Sequence, residues 1–220
     1  LFWHHPTLGK IKQAQINNIA EHCNMVIELD NYLLDFVDSH FSSMQKEYGK
    51  QVQLQVSVSS QHLNHKYAVR ALKNRLKQCR LDKSKLTVFF DEKAFVQNAN
   101  NHISAFESLK PLNINLGIEA YGSAHSAISS LTFLPINALK LDSSYCAHLE
   151  NSQHLKLVKA YFNAAQAMEL TVFAVGVNND MQNQILQQVG FEFGQGMALG
   201  NVVEVTAQAD LSLSNNQVCA

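Results

Sequence analysis

The chain has 220 residues, 46% of them hydrophobic and 16% charged, with 17 lysines and arginines against 18 acidic side chains and a formal charge of -1 at pH 7. That is enough for one domain with a substantial core, and it excludes a whole-molecule field that would draw in nucleic acid or an anionic membrane. No apolar run approaches the roughly 20 residues that span a bilayer, and the N-terminus carries no signal-peptide pattern, so a soluble cytoplasmic domain is expected.

In chain order, a helix is expected over 11–23 and a second over 26–48, where Ile27, Leu33, Leu34, Val37, Phe41 and Met44 recur near helical period and Gly49 stops it. Val52, Leu54, Val56 and Val58 alternate with Gln53, Gln55 and Ser57, which predicts a strand running into a turn at Ser59-Ser60. A helix follows over 67–79, a β-rich run over 86–90 and a helix over 99–109, which Pro111 breaks ahead of a strand at 114–118. Within this part, Lys66, Arg70, Lys73, Arg75, Lys77, Arg80, Lys83 and Lys85 make a local basic face. A solvated helix surface is the commoner meaning of such a run, with a binding surface as the other.

The stretch 116–142 reads as a strand end, a glycine-bearing turn, a short helix and a second buried strand, which is a βαβ unit. Chemistry in such folds gathers at the carboxyl ends of the strands, here Glu119 with Ala120 and Lys140 with Asp142. Beyond it, 151–168 is helical, 170–177 a nearly continuous apolar strand, and Asn178 or Asn179 caps a helix bearing Met181, Ile185, Leu186 and Val189 that ends at Gly190. A last strand is expected over 191–195. Strands this apolar on both faces belong to a parallel sheet covered by helices. After Gly200 the period is lost, and a closing helix or strand that then frays is expected.

Cys23, Cys79, Cys146 and Cys219 are scattered without a CxxC pair, the pattern of reduced, mostly buried thiols. His4 with His5 and His62 with His65 lack companion acidic or cysteine clusters at ligand spacing, so they are expected to face solvent and no metal site is assigned to them.

Several motifs carry a family resemblance. EAYGSAHSAI at 119–128, Leu134-Pro135 and Lys140-Leu141-Asp142 resemble, in the same spacing, the DDFGTGYSSL, LP and KID of the EAL domain, the barrel that hydrolyses cyclic-di-GMP. The opening LFWHHPTLG is similar to that family's LLRWQHPELG, which follows the EAL tripeptide. The resemblance implies an α/β fold, a TIM-like (β/α)8 barrel, with 1–220 forming a single degenerate EAL domain. It also implies that the first strands precede Leu1 in a longer protein.

Enzymes of the family hydrolyse the phosphodiester with two metals held by converging oxygen ligands. Following the resemblance, the arginine of LLRW corresponds to Phe2, the asparagine of VNLS to Ser57, the metal-binding glutamate of LELEITE to Phe89 and its last glutamate to Glu92. The second aspartate of the DD pair corresponds to Ala120, and the two glutamates of VAEGVE to Val175 and Asn178. What remains of the implied pocket is Lys140, Asp142, Glu119, Glu92 and Gln195. Losses at Phe2, Ser57, Phe89, Ala120, Val175 and Asn178 imply a catalytically inactive domain without metal or cofactor. It is similar to CsrD-like regulators of small-RNA decay, which act by contacting protein partners such as a phosphotransferase-system component. Cyclic-di-GMP binding is then expected to be weak or absent and nucleic-acid binding is left open, with a non-catalytic cyclic-di-GMP receptor as the alternative. A parent protein anchored in the inner membrane outside this segment is compatible with all of this.

Overall fold

A computed structural model describes residues 2–124 and 128–203 of the chain. It opens with an antiparallel hairpin, β1 (Phe2–His5) and β2 (Gly9–Lys12), followed by α1 (Gln13–His22) and the long α2 (Val26–Tyr48). Then β3 (Leu54–Ser57), α3 (Lys66–Gln78), β4 (Leu86–Asp91), α4 (Lys93–Leu109), β5 (Asn115–Tyr121) and β6 (Ala138–Leu141) alternate strand with helix or short 3-10 turn. The short α5 (Ser144–Ala147), α6 (Ser152–Ala167), β7 (Thr171–Val175), α7 (Asp180–Val189) and β8 (Phe193–Gln195) complete the described fold.

Strands β3 to β8 form one six-stranded sheet in chain order, every neighbouring pair parallel. Parallel neighbours in chain order are the signature of repeated βα units. The sheet curls, because Ser57 on one edge strand and Gln195 on the other line the same cavity. The expected eight-stranded barrel is therefore present in part: β3 and β8 each pair on one side only among the described residues, and the β1–β2 hairpin stands as a separate sheet.

Local chemistry explains most boundaries. Leu34 and Phe41 of α2 are buried, and the helix stops at Gly49, whose φ of +96° suits a residue without Cβ. Asn151 caps α6 by accepting from the N–H groups of Gln153 and His154, and Asn179 caps α7 by accepting from Gln182 N–H. Strand β4 is buried over five of its six residues, with Val88, Phe89 and Phe90 fully enclosed, as expected of a strand covered on both faces.

Two helix starts need correction. The helix expected from position 11 begins at Gln13, because Ile11 belongs to β2. The hairpin turn is fastened by the His5 ring nitrogen Nδ1, which accepts from the N–H groups of Thr7 and Leu8. Helix α4 begins six residues earlier than expected, at Lys93, whose N–H donates to the Asp91 carboxylate. The crossover between β5 and β6 contains a 3-10 segment, Ile128–Phe133, and the rest of that motif, 125–127, lies outside the described residues. The segment expected to close the chain after Gly200 lies largely outside them too, as does Cys219.

Candidate functional site

The carboxyl ends of the parallel strands open onto a cavity of about 430 Å³. Side chains one residue apart in a strand face opposite ways, so Gln55 and Ser57 of β3 share the concave face. The corresponding residues of the neighbouring strands are Phe89 of β4, Gly117 and Glu119 of β5, Lys140 of β6, Phe173 and Val175 of β7, and Gln195 of β8. Asp142 and Ser143, just past β6, and Gln13, Leu33 and Val37 from the first two helices complete the wall.

Lys140 sits at the centre. Its ammonium lies 4.0 Å from Glu119 Oε2 and 4.2 Å from the centroid of the Phe89 ring, with only 11% of the side chain exposed. Burial pulls its pKa below the usual lysine value, and the Glu119 carboxylate partly opposes that shift. Glu119 in turn accepts a 2.6 Å hydrogen bond from Ser57 Oγ. Phe89 is fully buried and meets Phe173 edge-on at 6.0 Å, with Phe193 beyond it at 5.2 Å from Phe173, so an aromatic floor underlies the polar rim. Asp142 is partly exposed and its Oδ1 accepts from Ser144 N–H, a local turn bond at the cavity rim.

Of the residues the sequence singles out, Lys140, Asp142, Glu119, Gln195, Ser57, Ala120 and Val175 line this cavity together, with Phe89 beneath. Ala120 holds a φ of +53° where β5 and β6 slip out of register, an unusual backbone for a residue with a Cβ. Glu92 is elsewhere. It is 1% exposed, and its carboxylate accepts from the N–H groups of Gly122 at 3.0 Å and Ala124 at 2.7 Å, so it ties down the turn after β5. Asn178 is also outside: it is exposed, and its N–H donates to Gln182 Oε1 at 2.7 Å. Phe2 lies in β1 opposite Lys12, and its side chain is outside the described part.

Sequence reasoning missed Gln13, Gln55, Leu33, Val37 and Ser143. Only Gln55 had a signal, its period-two spacing from Ser57. The histidine expectation also changes. His62 is not solvent-facing but 1% exposed, with Nε2 at 3.1 Å from Asp30 Oδ2, which also accepts from Ser59 N–H. A helix 32 residues upstream supplies the acidic partner that local spacing hid. Cys79 and Cys146 are buried as expected, whereas Cys23 is exposed. Among the described residues no helix is long and apolar enough to cross a membrane.

Comparison with known proteins returns the EAL domain family model over residues 1–201. The cyclic di-GMP phosphodiesterase NbdA of Pseudomonas aeruginosa is 26% identical over 206 residues, 93% of this chain and 26% of that protein. An uncharacterized protein of Mycobacterium tuberculosis is 30% identical over 186 residues, 84% of this chain and 30% of its own length. The chain thus spans 30% or less of these curated relatives. Among solved structures, the PaMucR phosphodiesterase in its c-di-GMP complex matches with a TM-score of 0.83 at 23% identity, over 91% of this chain and 81% of that one. The FimX EAL domain from Pseudomonas aeruginosa bound to c-di-GMP gives 0.76 at 18% identity, over 91% and 80%.

Proposed function

The chain belongs to the EAL domain family, and from that premise we propose that it is a non-hydrolytic member serving as a protein-interaction module in bacterial signalling. The observation that carries this reading is the Phe89 ring, fully buried under the Lys140 ammonium at the position where the family resemblance places a metal-binding glutamate.

Two divalent metals a few Å apart need several anionic oxygens converging from different strands. The cavity offers two carboxylates, Glu119 and Asp142, and one of these is already engaged by Ser57 and Lys140. Val175 presents an apolar branch and Ala120 a methyl where further donors would be required. A desolvated cation among so few anions repels incoming metal, so the residues present do not fit a two-metal centre, and no hydrolytic step is derived through one. By this reading Lys140 orders the strand ends by its contacts with Glu119 and Phe89, which offset part of the cost of burying its charge.

The same cavity supports a second reading. Its rim is polar, with Gln13, Gln55, Ser57, Ser143 and Gln195 around Lys140, and such a rim could hold nucleotide phosphates without metals. A non-catalytic cyclic-di-GMP receptor is therefore the alternative, in line with the c-di-GMP held by the PaMucR and FimX structures.

At the level of the longer protein, we place the domain, 1–220, in a CsrD-like role. There it influences regulatory-RNA turnover through a protein partner such as a phosphotransferase-system component, with any inner-membrane anchor supplied by other segments.

Calorimetric titration with cyclic-di-GMP, with and without magnesium or calcium, tests these readings. The interaction module predicts no saturable heat at micromolar ligand and no linear dinucleotide product. Micromolar or tighter affinity without turnover selects the receptor, and turnover overturns both. For the regulatory role, affinity capture that recovers no stoichiometric protein partner counts against it.

A further inference from the structure

The outer surface carries a feature unrelated to the cavity. Helix α3, KYAVRALKNRLKQ, contains five cations and no acidic residue. At 100° per residue, Lys66, Arg70, Lys73 and Lys77 fall within about 60° of arc and extend about 17 Å along the axis. Val69, Leu72 and Leu76 bury the adjacent face against the core, so the stripe lies on the outer side of the helix, with Lys66, Arg70 and Lys77 exposed and Lys73 half-buried. The fifth cation, Arg75, lies on the far side and pairs with Asp35 of α2. Among the described residues, none of the four stripe cations takes part in an ion pair or a side-chain hydrogen bond. Beside Lys66 and one turn from Arg70 stands Tyr67, 86% exposed.

Exposed helices ordinarily interleave opposite charges at i,i+4, whereas like charges at that spacing repel each other. An uninterrupted cationic row is thus unfavourable for the isolated helix and favourable only against an anion of matching length. Its spacing of about 5 to 6 Å per charge follows successive phosphates of an extended strand, and a standing aromatic ring offers a stacking face for a base. Val69, Leu72 and Leu76 of α3 are buried in the core, which leaves Tyr67 exposed where an interfacial helix needs a whole apolar face to enter a lipid surface.

We infer that the Lys66, Arg70, Lys73, Lys77 stripe with Tyr67 is a docking surface for the sugar-phosphate backbone of single-stranded nucleic acid. Contact is sequence-tolerant, since no side chain of the stripe is placed to read base edges selectively.

The test is fluorescence anisotropy of the 220-residue chain with a labelled 12-nucleotide single-stranded RNA between 25 and 200 mM KCl. Four phosphate contacts predict a slope of log affinity against log salt near about -3. The pair Arg70→Gln with Lys77→Gln should roughly halve that slope and weaken binding at least tenfold at low salt. Lys66→Gln with Lys73→Gln should do the same, and Tyr67→Ala should cost about fivefold or more. Lys156→Gln with Lys159→Gln, exposed on α6, serves as the control and should change nothing. Circular dichroism confirms folding of each variant. Absence of saturable binding at 25 mM KCl overturns the inference, as does an equal loss in the control. Oligoglutamate of equal charge binding more tightly than the RNA would reassign the stripe to an acidic protein, and binding only to phosphatidylglycerol vesicles would reassign it to a membrane; either result also overturns it.

Discussion

Gly117 on β5 lies in register with Phe89 on β4, and the phenyl ring occupies the space a side chain at 117 would need. A Cβ built there falls 2.6 Å from Phe89 Cδ1 and 3.1 Å from the Ala138 carbonyl oxygen. The aromatic floor of the cavity therefore depends on the missing side chain of its neighbour. Gly117→Ala should destabilise the fold by about 2 kcal/mol through overpacking. In a Phe89→Leu background the same change should cost much less, giving a coupling of about 1 kcal/mol in a double-mutant cycle. Urea unfolding measures all four corners; strictly additive losses would show that the ring and the glycine are independent.

Lys140 makes stability depend on pH in a direction that can be worked out. Its pKa is lower folded than unfolded, so between those two values the unfolded chain binds more protons and stability rises with pH. Below the folded pKa the penalty of the buried ammonium is complete, and it fades as pH climbs towards 10.5. Relative to Lys140→Met, the wild type should gain stability as pH rises through the folded pKa towards 10.5, by at most about 1.4 kcal/mol per pH unit. Thermal melts of both proteins from neutral pH up to about pH 10 should show the gap moving in favour of the wild type at the alkaline end, and a constant or opposite trend would remove the desolvation argument.

Two glutamates that look alike in the sequence should behave differently. Glu92 is enclosed and accepts from two backbone N–H groups, so Glu92→Ala should cost about 3 kcal/mol, with Glu92→Gln recovering part of it because an amide oxygen still accepts. Glu119 is partly open to solvent, and Glu119→Gln should cost less than about 1 kcal/mol. Chemical denaturation compares them directly. Similar losses for Glu119→Gln and Glu92→Ala would contradict the division between a turn anchor and a cavity residue.

Thiol chemistry should separate the cysteines. Burial raises the Cys146 thiol to about 11 and pushes Cys79 up as well, so both are protonated and shielded at neutral pH. Cys23 is exposed. Iodoacetamide at pH 7.5 followed by peptide mapping should modify Cys23 at least tenfold faster than Cys79 or Cys146, which should react only as the chain unfolds. Comparable rates at the three sites would mean that the core opens far more readily than its packing indicates.

The sequence carried the fold where burial imposes a period or a cap marks an end. Helix α2 matches its expected span residue for residue, because its apolar spacing and Gly49 both point to the same limits. Strand β4 was legible because a strand covered on both faces is apolar at nearly every position, and β7 because its run of apolar residues is nearly unbroken, although only Val172 and Ala174 of it are buried. What failed were features made by contacts distant in the chain. His62 is buried because Asp30 reaches it from α2, and Glu92 left the cavity because the turn beyond β5 supplies two donors. The hairpin β1–β2 was hidden by its four-residue strands, too short to establish alternation. For the cavity, strand-end position alone found Glu119, Lys140 and Asp142, whereas Gln13 and Leu33 approach from helices whose docking no local pattern reveals.

Strands β3 and β8 each leave one row of backbone donors and acceptors without a strand partner among the described residues. An unpaired strand edge exchanges its backbone hydrogens faster than a paired one, so hydrogen exchange should rank the outward-facing amides of β3 and β8 above those of β4 to β7, unless another segment covers them.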